Sequence, residues 1–457
     1  MSSMDRMRIK TELLPNGVSL RHPIHDEQDQ VLLKAGTPIT ASIKQQLLDQ
    51  GLAWVMLDAG DAMKVMGLGN EPAAAFTPAP AAPAQQEPQQ EFPTRPLPAM
   101  DRIHAKVDAL GNTVSLSVEN SGPPLQEKIT PKGSVPYDLQ RSRELSEQFA
   151  SAKNLLEDLI QEALAGTARD SQALDFVVAK YVEGLIDDTD LVISSSAEAA
   201  PKPLLTERSI RTAILAMALA IELDYDEQHV REIGLCGLAQ DWGMLYLPEH
   251  LQNLHAPVSK RDWETFQRHP LYTAEMLSSV DGVSREVRLA ATQVHENADG
   301  SGYPRGLKDD EIHPYARILH VIDVYLSLTT EMRGRQPYVA YDVMVYMLHQ
   351  IKAGRIAERA MRALLNLVSL FPIGSHVRLT DGSEAKVIRR NNWHYTAPIV
   401  QPVGGDRKIR IDAPEVPVIN LAKSDSRVMI ALPSPDREEI RIGESLMNDI
   451  LWNGPSD

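Results

Sequence analysis

The chain has 457 residues, a length that predicts roughly two to four domains. Its 62 acidic against 46 basic side chains give a net charge of -16, which argues against wrapping DNA or docking on an anionic membrane, though a small anion held by one local arginine stays compatible. The single cysteine, Cys236, lies in the apolar helical run IGLCGLAQ, so a disulfide framework is excluded and a buried structural thiol is expected. The N-terminus lacks an apolar core of signal-peptide length, and no uninterrupted apolar span reaches ~18 residues. Composition therefore predicts a soluble cytoplasmic protein with no membrane span and no DNA partner.

Residues 1–69 read as a small α/β module. Short apolar runs at Gly17–Leu20 and Val31–Leu33 are followed by a helical stretch from Ser42 to Gln50 and an apolar run from Leu52 to Leu57. Between about 70 and 100 the chain turns to Ala, Pro and Gln, a composition that buries too little apolar surface to offset its ordering entropy and reads as a linker. The linker is grouped with an unassigned segment to residue 135, in which Thr113 to Val118 alternate like a strand before Gly122, Pro123, Pro124 and Pro131. From 136 to 370 apolar residues recur at three and four, predicting helices at 138–165, 171–187, 208–223, 226–239, 260–279, 284–296, 316–330 and 340–351. Pro270 is the exception in an otherwise nearly proline-free pattern. After Phe371-Pro372-Ile373-Gly374 short strand-like pieces appear at Val377–Leu379, Ala385–Ile388 and Ile399–Val400, with the turn Asp381-Gly382 between the first two. They predict a small β appendage over 371–423. A tail over 424–457 follows, with a short amphipathic helix between Ile440 and Leu451.

One stretch concentrates chemistry. Val294-His295-Glu296-Asn297-Ala298-Asp299-Gly300-Ser301-Gly302-Tyr303-Pro304 places a histidine beside a glycine-rich turn able to bend around a ligand. Three further groups, Asp241, His269 and Asp323, sit in or near predicted helices with apolar neighbours. Imidazole and carboxylate drawn from separate helices are how helical proteins assemble metal centres. Taken singly, each reads equally well as a capping carboxylate or as a histidine satisfied by a backbone carbonyl.

The order QDWGMLYLP, RHPLYTAEML, VHENADGSGYPRGL and RILHVIDVYLSL, between residues 240 and 328, resembles the HD-GYP family. The resemblance implies an all-α HD domain, and so a mainly α fold with the N-terminal α/β module and the C-terminal β appendage. It further implies cyclic-di-GMP hydrolysis at a two- or three-metal centre, giving the linear dinucleotide or GMP. The β appendage resembles a C-terminal extension of some members, and the N-terminal module more weakly resembles segments that precede others.

Departures from the family pattern change what that resemblance implies. The His of the name-giving pair is Gln240, the lysine closing that motif is Met244, an earlier histidine is Arg208, and the first histidine of a His-His-Glu triplet is Val294. The second aspartate after Asp323 is Leu326, and the Arg-Pro-Tyr region is stretched to Arg333–Tyr338. Three family ligands are thus lost, at Arg208, Gln240 and Val294, while Asp241, His269, His295 and Asp323 survive. The expectation is a site for one iron or manganese ion at most, or none, with Arg208 pairing with Asp241 or Asp323 where a cation once sat. The resemblance then implies a degenerate signalling or scaffold module, able to form a homodimer, whose loop Gly302-Tyr303-Pro304-Arg305 meets cyclic-di-GMP or a partner protein. The alternative is a phosphodiesterase with a reduced metal site that uses Asp241 as its catalytic residue.

Overall fold

The computed structural model describes residues 6–11, 14, 18–20, 22–26, 30–50, 52, 54–58, 99–167, 170–197, 205–252, 259–331, 335–404, 417–435 and 439–442. The Ala/Pro/Gln-rich stretch before residue 99, the segment Arg333-Gly334 and most of the helix expected between Ile440 and Leu451 lie outside the described residues. The chain divides into two compact units, Met1–Gln90 and Glu91–Asp457.

In the first unit, strands β1 (Arg6–Lys10), β3 (Ile24–His25), β4 (Val31–Leu33) and β6 (Trp54–Asp58) form an antiparallel sheet in the order β1-β6-β3-β4. A ribbon of β2 (Val18–Ser19) and β5 (Pro38–Ile39) and helix α1 (Ala41–Asp49) complete it. The Thr40 side chain accepts from Ile43 N and starts α1. Leu14, Leu20, Ile24, Ile39, Leu47, Val55 and Leu57 make a separate small core. This is the expected α/β module, with three strands, β1, β3 and β5, beyond those its apolar runs announce.

The second unit is mostly helical. Helix α2 (Met100–Gly111) is followed by α3 (Leu139–Ala165), α4 (Gln172–Ala197), α5 (Leu205–Glu222), α6 (Glu227–Ala239), the short α7 (Glu249–Gln252), α8 (Lys260–Phe266) and α9 (His269–Leu277). Then come α10 (Arg285–Gln293), α11 (Pro314–Thr329), α12 (Ala340–Lys352) and α13 (Glu358–Val368). Its centre is α5, where every side chain from Ser209 to Ile221 is buried, as befits a helix apolar on all faces. Helix α6 returns antiparallel along it: a Cβ at Gly237 would lie 2.7 Å from Ala213 Cα, and one at Gly234 would lie 2.6 Å from Met217 Sδ. These close crossings set the C-terminal end of α6 beside the N-terminal end of α5.

Helix α4 continues past its expected end through a break at Asp188, where φ is -149° and ψ is 89°. The freed carboxylate caps the second half of the helix by accepting from Leu191 N (3.1 Å). It also takes a two-pronged ion pair from the buried Arg389, at 2.7 and 2.8 Å. Arg389 ends β8 (Glu384–Arg389), the centre of an antiparallel sheet with β7 (His376–Leu379), β9 (Ile399–Pro402), β10 (Ile419–Asn420) and β11 (Val428–Leu432), ordered β10-β9-β8-β7-β11. The expected β appendage is present, and β11, which falls in the expected tail, forms one of its two edge strands.

The structure departs from or adds to the expectations at four places. Thr113 to Val118, which lie in the unassigned segment, form no strand. Instead the unassigned segment opens with α2, which buries Ile103 and Val107 one turn apart. The helix expected over 260–279 is two helices, because Pro270 has no N–H to continue the ladder and the chain breaks at Gln267-Arg268 before restarting. Helix α13 adds to the eight expected. At the tail, Ile440 is in extended backbone, its N–H bonded to Pro337 O and its carbonyl to Val339 N.

Asp226 ties the turn between α5 and α6 to the segment before α3. It accepts from the N–H groups of His229, Ser121 and Gly122, from the Ser121 hydroxyl and from His229 Nδ1. Burial opposes its charge, but these donors outweigh that and hold the carboxyl well below the usual aspartate range. Asp226→Ala should therefore cost about 2–4 kcal/mol in urea unfolding, the sum expected for a helix cap and charge-assisted hydrogen bonds. Because the folded carboxyl titrates below the unfolded one, the deficit should be complete at neutral pH and shrink as pH falls below about 4.

Candidate metal centre

The antiparallel pairing of α5 and α6 puts Arg208, one turn into α5, beside Asp241, just past the end of α6. Helix α9 begins with His269. A Cβ at Gly243 would lie 2.0 Å from His269 O, so only glycine lets the turn after Asp241 come this close. Thr273 clasps the same turn: its hydroxyl donates to Gln240 O (2.9 Å) and accepts from Gly243 N (2.9 Å). His295 lies just past the C-terminal end of α10, where the preceding carbonyl, Val294 O, stands 2.8 Å from His320 Nδ1. Asp323 and Ser327 share one face of α11, four residues apart.

Three of the four expected ligands converge. His269 Nε2 and His295 Nε2 are 2.9 Å apart, and Asp241 Oδ1 lies 3.6 Å from the first and 3.7 Å from the second. Ligand atoms each about 2.1 Å from a single ion stand roughly 3.0–3.5 Å from one another, so the triad fits one first-row cation with little adjustment. His269 Nδ1 donates to Phe266 O (2.8 Å), which leaves the lone pair on Nε2, facing the other two donors. The fourth residue, Asp323, stands outside this triad, with Oδ2 3.4 Å from His295 Nδ1.

Asp323 faces Arg208 instead. Arg208 Nη2 is 2.6 Å from Asp323 Oδ1 and 2.8 Å from Ser327 Oγ, and its Nε is 3.7 Å from Asp241 Oδ2. Asp241 thus turns one oxygen to the histidine pair and the other to a guanidinium. The expected pairing of Arg208 with Asp241 or Asp323 occurs with both. A guanidinium has no lone pair, so this flank of the site offers a fixed positive charge and no ligand. The other two positions where the resemblance implies a ligand offer none to the triad: Val294 packs in the apolar core, and the buried Gln240 amide has no hydrogen-bond partner among the described residues.

The protonation pattern follows from these contacts. Burial works against a charge on His295, but Asp241 and Asp323 outweigh it and carry the ring up to about 9. Burial and the charge on His295 push His269 down to about 3. For Asp323, burial is outweighed by Arg208 and His295, which hold the carboxyl below its ordinary value. Two cations, Arg208 and His295, therefore balance two carboxylates, and the cluster is neutral as it stands. An ion entering the triad must displace the His295 proton and tolerate Arg208.

The glycine-rich loop forms one wall. The Tyr303 ring stacks on His295 at 5.0 Å and 12°, and Trp263 and Phe266 pack around it. Glu296 fastens the loop by accepting from Arg305 N (2.7 Å) and Leu307 N (2.9 Å). Gly302 is required where a Cβ would lie 2.2 Å from Asn297 N, and the Tyr303–Pro304 peptide bond is cis. Arg305 points away to an ion pair with Asp108 of α2 at 2.5 Å. The sequence reading misses Ser327, although its four-residue spacing from Asp323 signals it. It also misses the anchoring roles of Thr273 and Glu296, which only the folded backbone reveals.

Residues 195–355 match the model of the HD domain family, and the helical unit carries an HD domain. The chain is 29% identical over 246 residues to the cyclic di-GMP phosphodiesterase PA4108 of Pseudomonas aeruginosa, covering 51% of this chain and 57% of that protein. It is 21% identical over 201 residues to the cyclic di-GMP phosphodiesterase PdeB of Borreliella burgdorferi, covering 44% and 52%. The solved structure of Bd1817, an HDG"Y"P protein from Bdellovibrio bacteriovorus, aligns with TM-score 0.40 and 14% identity over 79% of this chain and 98% of that one. The chain thus spans about half the length of the two phosphodiesterases. The HD domain match and these relatives are in keeping with the resemblance to the HD-GYP family that the motif order carries. Among the described residues no helix is long and apolar enough to cross a membrane.

Gly243→Ala should destabilise the fold by more than about 2 kcal/mol in urea unfolding, since its methyl would meet the backbone of α9 at His269 O and Thr273 N. Gly111→Ala, with no atom within 4 Å of the added carbon, should leave the midpoint unchanged or raise it slightly.

Proposed function

We propose that the protein is a degenerate HD-GYP module of the cyclic-di-GMP system that binds a cyclic dinucleotide, or a partner responding to it, with little or no hydrolysis. The observation that carries this reading is the guanidinium of Arg208 lodged between Asp323 and Asp241. Metal-assisted phosphodiester hydrolysis relies on one ion to supply hydroxide and a second to stabilise charge on the attacked phosphoryl group. Arg208 can stabilise charge but cannot lower the pKa of a water. The names of the relatives support the ligand class, and the Asp241, His269 and His295 triad suits at most one manganese or iron ion.

When bound, such an ion would supply Lewis acidity. Asp241, His269 and His295 would hold it, Phe266 O fixes the tautomer of His269, and Tyr303 shields His295 from water. Arg208 keeps Asp323 and the second oxygen of Asp241 ionised and oriented. In this reading Gly302, Tyr303, Pro304 and Arg305 form the loop that meets the ligand.

The decisive measurement is release of the linear dinucleotide or GMP from cyclic-di-GMP by the full chain with manganese or ferrous iron. Product at the level of the enzyme-free blank, together with saturable binding, is expected. Turnover that disappears in His295→Ala would overturn the reading in favour of a phosphodiesterase with a reduced metal site. A second test concerns the arginine. Arg208→Ala should lose about 3–5 kcal/mol in metal-free buffer, because Asp323 and Asp241 are left uncompensated. It should regain part of that loss as manganese is raised, following the logarithmic dependence on free ligand. The wild-type protein should gain much less, and equal stabilisation of both proteins would show that Arg208 does not stand in for a cation.

A further inference from the structure

We infer that α2 is a clamp on the ligand-facing loop, with the Asp108 carboxylate occupying Arg305 until the helix is displaced. This deepens the proposed function by naming how that site is regulated, and it rests on that reading only for the identity of the ligand. The helix touches both walls of the site. Lys106 Nζ pairs with Glu275 Oε2 at 2.6 Å on α9, the helix that begins with His269. Asp108 pairs with Arg305, two residues after the tyrosine stacked on His295. Between these ion pairs Ile103 and Val107 enter a small cluster with Leu247, Leu251, Leu271 and Tyr272, distinct from the main core.

The attachment has the features of a removable part. The helix has twelve residues, a length at which an isolated helix is marginal in water. Its N-cap position, Ala99, offers no side-chain hydrogen bond, and its last turn carries no basic residue to meet the exposed carbonyls. Both ion pairs are partly exposed, with 42% and 56% of the Lys106 and Asp108 side chains accessible, so each is weak and salt-sensitive. By contrast, the chain just beyond the helix is firmly held: Asn120 Nδ2 donates to Asp224 O, and Ser121 and Gly122 bond Asp226. The helix can therefore swing away from a fixed point near residue 120.

Arg305 is the consequence. While Asp108 fills its guanidinium, an anionic group of a ligand must compete with an internal carboxylate. Once α2 leaves, the arginine and the loop it belongs to are free to meet a phosphate. The test is hydrogen exchange on the full chain, followed in peptides covering 99–111, 269–277 and 296–307. Asp108→Ala should speed exchange in 296–307 by about two- to fivefold, as expected for losing one partly exposed ion pair, and leave α5 and α6 unchanged. Ile103→Glu, which puts a charge into the small cluster, should speed exchange in 99–111 by more than about tenfold and carry 269–277 and 296–307 with it. Unchanged exchange in 296–307 in both variants would overturn the clamp. Titrated with cyclic-di-GMP, both variants should bind about two- to fivefold more tightly than the wild type. Equal affinity would also count against the clamp, whereas absence of binding by all three proteins would sink the ligand assignment and leave the clamp to be judged by exchange alone.

Discussion

A neutral four-charge cluster organises the functional end of the helical unit. Arg208 and the protonated His295 face Asp323 and Asp241 in a buried setting, where any one of these charges left alone would be strongly unfavourable. Each member comes from a different segment: α5, the turn after α6, the end of α10 and α11. Satisfying the cluster therefore fixes how those four segments meet. The close crossings at Gly237 and Gly234 and the glycine at 243 bring them within range. The ion pairs then select one arrangement among those that apolar packing permits.

The same cluster explains how a site can keep the outline of a metal centre and change its chemistry. A lone pair and a fixed positive charge are opposite resources for a phosphodiester. The first holds an ion that activates water, whereas the second attracts the phosphate without activating anything. In the proposed reading, Arg208 stands where a donor would and exchanges one resource for the other. His295, held charged by two carboxylates, adds a second fixed cation to the same wall. In that reading, a ligand phosphate would have to compete with Asp323 and Asp241 for these cations, and would be held rather than cleaved.

Much of this was legible in the sequence, and the limits have physical causes. Helix α5 is plain because Ala213 to Ile221 admit no polar face, and the site residues could be named because their motifs keep their order. That Arg208 would reach both carboxylates at once, rather than one of them, was not legible. It depends on the antiparallel match of α5 and α6, set by contacts such as Gly237 against Ala213 that no local pattern encodes. Helix α2 escaped because its apolar stripe is only Ile103 and Val107, with no capping residue to mark where it begins. The Asp188 break in α4 escaped for a different reason. An aspartate in a helical pattern looks like a solvated face until a distant arginine arrives to meet it.

That meeting has a consequence for how the molecule comes apart. Arg389 is 2% exposed, is held by both oxygens of Asp188, donates to Val135 O and lies over the Tyr137 ring at 4.8 Å. The strand bearing it thus contributes the counter-ion for a helix that has already given up a turn of its ladder. A chain cut before the strands would strand a carboxylate at that break and lose the end of β8 that seats Tyr137. This ion pair couples the helices to the C-terminal sheet, so the two should melt in a common transition rather than two.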